Sequence, residues 1–261
     1  MDESQIQNFN HLKIHSQYSI CEGAVKIDDL KDFSKENKIR SFGICDTANL
    51  CGALEFAEKI SKSGTQPIIG TQINFSFNGT TGQLPLYALD EKGYRRIIEL
   101  SSLSYLENDA LSDPHLNFNE LLNHDTGLAL FSGTINGLFG KLFCKGKLAD
   151  IEELYSKLRS IYKDRFYIEV QRHDDPNEDI FENFNLSKSL KLKIPIIATN
   201  EIFYISKDMH EAHDALICIG NKTYVNDKTR IKFSDQHYFK TNSEMSTLFA
   251  DLPEALENNY N

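Results

Sequence analysis

HLKIHSQYSICEGA (residues 11–24) is the stretch from which this chain is best interpreted, because it combines a strand pattern with metal-binding chemistry. Read with the two-residue period of a β-strand, it places His11, Lys13 and His15 on one face. Histidine is a common metal ligand, whereas a protonated lysine has no lone pair to donate. The face therefore has the pattern of a metal site whose central position holds a cation.

Short apolar strands alternate with amphipathic helices outward from this segment. We predict seven strands, at residues 11–15, 41–45, 67–75, 84–89, 127–132, 165–170 and 194–199. Helical spacing of apolar residues predicts helices around 27–33, 54–60 and 97–103, and further helices at 147–162, 177–192 and 208–219. This alternation indicates an α/β fold with a mainly parallel sheet, and seven units in about 200 residues favour a closed or nearly closed barrel.

Two connections between the predicted elements have distinctive sequences. NGTTG joins the third and fourth strands, which suggests a hairpin, and residues 107–117 have the composition of an exposed loop.

In a barrel, functional residues lie just past the carboxyl ends of the strands. Those positions hold His15 and Ser16, Asp46 and Thr47, Ser132 to Thr134, Gln171 to Asp174, and Asn200 with Glu201. Polar strand ends are ordinary in α/β proteins, so polarity alone does not assign a pocket here.

Composition excludes several classes of function. The net charge of -10 argues against an autonomous nucleic-acid binder, and no dense block of Lys and Arg is present, so any contact with DNA would be local. MDESQIQNFN has no secretory pattern, and no apolar run reaches the roughly 20 residues that span a bilayer. Five cysteines without a CxxC pair indicate reduced thiols. We therefore expect a cytoplasmic protein with no membrane contact.

Other motifs carry weaker signals. GTINGLFGK (133–141) lacks the first glycine and the hydroxyl of a phosphate-binding loop, so we interpret it as a strand-to-helix turn. HEAHDAL (210–216) spaces two histidines three apart on a helix, which suits either a metal or a surface or capping role. Tyr94, Arg95 and Arg96 favour a solvated helix start over a nucleic-acid contact, and no GxSxG pattern supports serine hydrolysis.

Seven motifs in order resemble one known family. They are HLKIHSQYSICEGAVKIDDL, CDTANLCGALEFAEK, PIIGTQINF, FYIEVQRH, PIIATNEIFYI, EAHDAL and LFADLPEAL. Together they resemble the amino-terminal PHP domain of the alpha subunit of bacterial DNA polymerase III, over essentially the whole chain. The resemblance implies a distorted (β/α)7 barrel, with residues 1–261 forming one PHP domain excised from a much longer polymerase chain.

Active members of that family hold a cluster of metal ions that activates water for phosphoester hydrolysis. The resemblance leaves ligand chemistry at His15, Glu22 and Glu201. It places residues of poor ligand chemistry at six further ligand positions, namely Lys13, Thr47, Gln72, Gln83, Thr134 and Phe203. His173 matches a family histidine near the pocket. We therefore expect a vestigial pocket with no catalytic residues, no bound metal and no cofactor.

The role of Lys13 has two interpretations at this stage. Its ammonium would neutralise Glu22 and Glu201, replacing the charge of the missing metal ions. Alternatively, its long side chain would reach out to water at the mouth of the barrel.

The resemblance implies a noncatalytic structural and docking platform, on which the separate epsilon proofreading exonuclease is the expected partner. The parent protein is expected to be a DNA-directed DNA polymerase, a nucleotidyltransferase that this fragment alone would not reproduce, and to contact DNA only as the full polymerase. The alternative is a residual phosphoesterase or 3'-5' exonuclease using Zn or Mn held by His15, Glu22, Glu201 and His173.

Overall fold

The structure, a computed structural model, describes residues 9–109, 111–123 and 127–260. The amino-terminal stretch without a secretory pattern lies largely outside the described residues, as does residue 110 of the predicted loop. The strands are β1 (Lys13–Ile14), β2 (Ser41–Thr47), β3 (Gln66–Phe77), β4 (Thr80–Ala88), β5 (Leu116–Asn117), β6 (Leu128–Phe131), β7 (Phe166–Val170), β8 (Ile196–Ala198) and β9 (Glu201–Ile202).

Helices connect most of these strands. They are α1 (Ile27–Glu36), α2 (Ala53–Lys62), α3 (Glu91–Leu106), α4 (Glu120–Asn123), α5 (Leu138–Cys144), α6 (Leu148–Tyr162), α7 (Glu178–Leu192), α8 (His210–Gly220), α9 (Asn242–Leu248) and α10 (Pro253–Tyr260). The strand-to-helix turn predicted for GTINGLFGK is confirmed, since α5 begins at Leu138. Among the described residues, none of these helices combines the length and the apolar character that crossing a bilayer requires.

The sheet has the strand order β8-β7-β6-β4-β3-β2-β1-β9, and β5 pairs with β3. It is mixed, because β4 runs antiparallel to both β3 and β6, whereas the other pairs are parallel. The two edge strands, β8 and β9, are separated in the chain by only Thr199 and Asn200. The sheet must therefore curl until its edges meet, which confirms the predicted distorted barrel. The predicted loop at 107–117 ends in β5, where Leu116 is buried.

Apolar packing explains why the sheet is covered by helices and filled inside. One core cluster joins β3, β4, β6, β7 and β8 to α3, α5, α6 and α7, and a second joins β1 and β2 to α1 and α2. A third includes Cys45 of β2, Tyr87 of β4 and Ile197 of β8. Since β2 and β8 are not neighbours in the sheet, this third cluster lies across the interior of the barrel. It forms an apolar layer beneath the polar strand ends.

The prediction that His11 shares a face with Lys13 and His15 is wrong. The His11 ring packs on Phe239 at 4.3 Å and donates from Nε2 to the Lys240 carbonyl at 2.8 Å, outside the barrel. The regular strand begins only at Lys13, although the His11 carbonyl still accepts from the Gly43 N–H of β2 at 2.7 Å. The two-residue period therefore does not extend back to His11.

The hairpin between β3 and β4 is confirmed, and its turn consists of Asn78 and Gly79. Both residues have positive φ, 45° and 71° respectively, as a two-residue hairpin turn of the primed type requires. A Cβ added at Gly79 would meet no atom within 4 Å. Glycine is thus favoured at position 79 because of its positive φ and not because of lack of space.

We expect Gly79→Ala to lower the free energy of unfolding by about 1 kcal/mol, because an L-residue with a Cβ is strained in the left-handed region. Gly79→Asn is the matched control and should lose less than half as much, since asparagine tolerates that region. Urea denaturation followed by circular dichroism measures both. Equal losses in the two variants would contradict the backbone explanation.

Candidate functional site

The centre of the polar pocket is a buried ammonium held by two carboxylates. Lys13 Nζ lies 3.2 Å from Glu201 Oε1 and 3.6 Å from Glu169 Oε1. Lys13 and Glu201 are direct partners in the parallel pairing of β1 with β9, whereas Glu169 reaches across the barrel from β7. Lys13 is 1% exposed, so the interpretation in which it extends to water is wrong. Its second carboxylate is Glu169 and not Glu22.

Electrostatics in this centre favour the charged forms. Burial lowers the pKa of Lys13, but the Glu169 and Glu201 charges outweigh it and hold the pKa above its usual value. Burial likewise raises the pKa of Glu201, yet Lys13 and a hydrogen bond from His15 keep it well below the ordinary range. An ion pair at these distances in a dry interior is retained because separating it would leave a buried charge uncompensated.

His15 belongs to the same hydrogen-bonded group. Its Nε2 donates to Glu201 Oε1 at 3.1 Å, and its Nδ1 lies 3.5 Å from Thr47 Oγ1. Gln72 Nε2 lies 3.3 Å from Thr47 Oγ1 and 3.5 Å from Glu201 Oε1. Burial lowers the pKa of His15, but the Glu201 bond and the charge of Glu22 raise it above its usual value. The neutral side chains thus complete a network around the ion pair.

Glu169 is a residue that sequence reasoning missed. It accepts from Thr199 Oγ1 and from Gln171 Nε2, the latter at 3.0 Å, and its backbone N–H donates to Ser132 Oγ at 2.9 Å. Its Oε2 has no hydrogen-bond partner in the described structure. A carboxylate alone within the apolar strand FYIEV was the available signal, since an unpaired charge is costly to bury.

A second part of the pocket contains two stacked imidazoles, His173 and His237, with ring centroids 4.2 Å apart. The Glu201 backbone N–H donates to His173 Nε2 at 3.2 Å, so the His173 proton is on Nδ1, which donates to Glu178 Oε1 at 3.1 Å. Burial lowers the pKa of His173 to about 3 and raises that of Glu178 to about 7. Sequence reasoning missed His237 and Glu178. These neutral rings support the backbone of Glu201.

Next to these residues a cavity of about 320 Å³ opens at the carboxyl ends of the strands. Its lining includes Thr134, Gln171, His173, Glu178, Glu201 and His237. Thr134 accepts from the Asn136 backbone N–H at 3.2 Å and so stabilises the turn before α5. Five of the predicted strand-end residues therefore line this pocket, namely Thr134, Gln171, His173, Asp174 and Glu201.

The other predicted positions lie around the central group without hydrogen-bonding to it. Phe203 packs on the His15 ring at 4.8 Å and stacks on His213 at 5.3 Å. The Glu22 carbonyl accepts from His213 Nε2 at 2.8 Å, while its side chain is partly exposed. Gln83 pairs with Asn74 of β3, which puts it on the same face of the sheet as Gln72 but further along.

The arrangement of the His, Cys, Asp and Glu side chains determines whether this pocket can hold metal ions. In the three described ranges, no group of three or more His, Cys, Asp or Glu side chains is arranged to hold a metal ion. Lys13 lies between the two carboxylates that would otherwise attract a cation, and His15 Nε2 carries a proton directed at Glu201. The donors present do not fit the metal cluster that the family resemblance implies.

Two weaker motifs have structural partners. His213 is buried and bonded to the Glu22 carbonyl, whereas His210 Nδ1 lies 3.3 Å from the Tyr204 hydroxyl. The two histidines of HEAHDAL therefore point to different partners. In α3, Arg95 pairs with Glu91, and the buried Arg96 bonds to the Glu120 carbonyl.

Comparison with known proteins defines the class. Residues 11–173 match the PHP domain family, and the chain belongs to that family. It is similar to the DNA polymerase III subunit alpha of Caulobacter vibrioides, at 36% identity over 99% of this chain and 23% of that protein. The corresponding subunit of Rickettsia bellii is 37% identical, over 97% of this chain and 22% of that protein. The predicted resemblance is thereby confirmed, and the chain spans less than a quarter of the length of these relatives.

A solved structure, described as an amidohydrolase from Chromobacterium violaceum, aligns with a TM-score of 0.47 at 10% identity. The alignment covers 79% of this chain and 96% of that one.

We expect Lys13→Met to lower the free energy of unfolding by about 3–5 kcal/mol at pH 7, because it leaves two buried carboxylates without a cation. Above its unfolded pKa, Glu201 contributes stability that is lost as the pH falls through its depressed folded pKa. Without Lys13 only His15 and His237 still oppose the effect of burial, so the pKa of Glu201 rises and its protonation on going to pH 5 should recover part of the loss. Urea denaturation at both pH values measures this difference.

Lys240→Met is the matched control. Lys240 is also buried, but its ammonium contacts Asn200 Oδ1 and the Gln236 carbonyl, which are uncharged. Burial lowers its pKa to about 8, so it is protonated at both pH 5 and pH 7 and its loss should not depend on this pH change. A loss for Lys13→Met that is the same at both pH values would indicate lost packing, and would contradict the electrostatic account.

Proposed function

We propose that this chain is one PHP domain of a replicative DNA polymerase alpha subunit, with an eroded metal site, and that it serves as a noncatalytic structural and docking platform. The observation that carries the proposal is the Lys13 ammonium between Glu201 and Glu169, at a position where the family resemblance implies a ligand. The charge that metal ions would supply there is supplied by the chain itself.

The chemistry of hydrolysis supports this proposal. A metal cluster in such a site lowers the pKa of bound water and neutralises the developing phosphoryl charge. Here the groups nearest the centre are an ammonium, a protonated imidazole nitrogen, an amide and a hydroxyl, which are committed to Glu201 or to one another. They satisfy a buried carboxylate, so none of these four groups is free to activate water.

The proposed partners follow from the relatives. Those relatives are polymerase subunits more than four times the length of this chain, so the remainder of such a subunit is the first partner and DNA is contacted through it. A polymerase whose PHP site cannot cut needs its editing activity from a separate protein. We therefore propose the epsilon proofreading exonuclease as the second partner, in the cytoplasm.

Metal content and hydrolysis distinguish the platform from a residual phosphoesterase or 3'-5' exonuclease. We expect less than about 0.1 equivalent of tightly bound Zn or Mn by elemental analysis, and no rise in Tm on adding either metal, because a ligand that binds only the folded state would raise it. Hydrolysis of p-nitrophenyl phosphate and of a single-stranded oligonucleotide should stay at background.

Stoichiometric metal together with turnover would overturn the platform proposal in favour of the hydrolase. In that case Glu201→Gln should abolish the activity, whereas the exposed Glu99→Gln, far from the pocket on α3, should not. A contaminating hydrolase would be unaffected by either change.

Docking is tested with the purified chain and the epsilon exonuclease subunit of the same organism. We expect a 1:1 complex in analytical ultracentrifugation, with a measurable heat of binding in calorimetry. Bovine serum albumin, also acidic, is the control for nonspecific association. Failure of the two proteins to associate at concentrations up to about 50 μM, where even weak specific interfaces are populated, would remove the docking function.

A further inference from the structure

A cluster of exposed apolar side chains lies at the carboxyl end of α8 and in the irregular segment that follows it. Its members, here called the α8 patch, are Ile20, Ile219, Tyr224, Val225 and Ile231, each between 55% and 85% exposed. Single exposed apolar residues are ordinary, but a contiguous group of them marks an interaction surface.

Backbone contacts bring the members of the patch together. The Thr223 N–H donates to the Cys218 carbonyl at 2.9 Å and the Lys222 N–H to the Ile219 carbonyl at 3.2 Å, which folds the chain back over the end of α8. A Cβ built on Gly220 would lie 2.6 Å from Cys21 Cβ, so the loop that carries Ile20 packs against the same helix end.

Arg230 fixes the rest of the segment. Its guanidinium forms two bonds of 2.6 Å with the Asp214 carboxylate on α8, and also donates to the carbonyls of Val225 and Ile231 at 3.2 Å each. Such a bidentate pair orients both partners. Val225 and Ile231 are thereby held in one arrangement with their side chains more than half exposed, and Ile231 also lies at the edge of the cavity of the candidate site.

Exposed positive charges surround the patch, whereas the protein as a whole is negatively charged. Lys222, Lys228 and Lys232 are exposed and form no ion pair in the described structure, although the chain has a net charge of -10. This segment also has two acidic residues: Asp227 accepts from the N–H and hydroxyl of Thr229, and Asp235 pairs with Lys207 at 3.0 Å. An apolar centre with a charged rim is the usual anatomy of a protein interface.

We propose that the α8 patch binds a polypeptide segment that presents apolar side chains flanked by aspartate or glutamate. This inference rests on the proposed docking function and gives it a location. The three lysines favour an anionic partner. The patch favours a polypeptide over single-stranded nucleic acid, because bases stack on aromatic rings and Tyr224 is the one aromatic member among five.

The test compares charge-introducing variants on two surfaces, with the epsilon exonuclease subunit as the probe. Val225→Glu/Ile231→Glu disrupts the patch, and Leu190→Glu is the matched control, because Leu190 is 83% exposed on α7. We expect the Kd of the patch variant to rise at least about tenfold and that of the control to stay within about twofold. Thermal unfolding confirms that all three proteins are folded.

The lysine rim is tested by Lys222→Glu/Lys228→Glu/Lys232→Glu. We expect weaker binding and a loss of the salt dependence shown by the original chain, because charges at the rim of an interface are screened by salt. Unchanged binding by both the patch and rim variants would overturn the α8 patch but leave the docking function intact. Absence of binding by the original chain would overturn both.

Two further outcomes would replace the proposed occupant. A fluorescein-labelled single-stranded oligonucleotide that binds the chain at low salt and is released by Tyr224→Ala would identify nucleic acid instead. Self-association that is lost in Val225→Glu/Ile231→Glu would identify a second copy of the chain.

Discussion

The buried ion pair between Lys13 and Glu201 is the interaction on which the pocket and the closure of the barrel both depend. The two residues face each other across β1 and β9, the pairing that adds the last strand to the curled sheet. Removing either charge alone would leave the other largely buried without its partner, and such a loss is among the largest that a single substitution causes. The position of β9 is thus fixed by the Lys13–Glu201 ion pair as well as by the pairing of its two residues with β1.

Long elements with strong patterns were predictable from the sequence, and short ones were not. The strands β2, β3, β4, β6 and β7, the Asn78–Gly79 turn and the α6 helix follow from apolar period and turn chemistry. β5 and β9 have two residues each and lie outside every predicted strand, so their pairing is determined by tertiary contacts. The prediction for His11 fails because a strand period was extended to residues before Lys13, where the regular strand β1 begins.

The site was predictable where the residue type itself carried the information. Lys13, His15, Thr47, Gln72 and Glu201 form one group because β1, β2, β3 and β9 are neighbours in the curled sheet and bring these side chains together. Glu201 was a predicted partner of Lys13, but the second partner was not predictable, because Glu22 and Glu169 are both glutamates and only the curl of the sheet brings β7 opposite β1. His237 lies in a segment without regular structure, so no periodic sequence pattern could predict that its ring stacks on His173.

Phe203 connects this pocket to the α8 patch. Its ring contacts His15 in the pocket, His213 on α8 and Phe233 in the segment after α8, with centroid distances of 4.8, 5.3 and 5.0 Å. An imidazole at this position, as the family resemblance implies, would direct a lone pair into the pocket, whereas phenylalanine offers only apolar surface. Phe203 therefore packs between the pocket and the segment that carries Ile231, and holds that segment against α8 through Phe233 and His213.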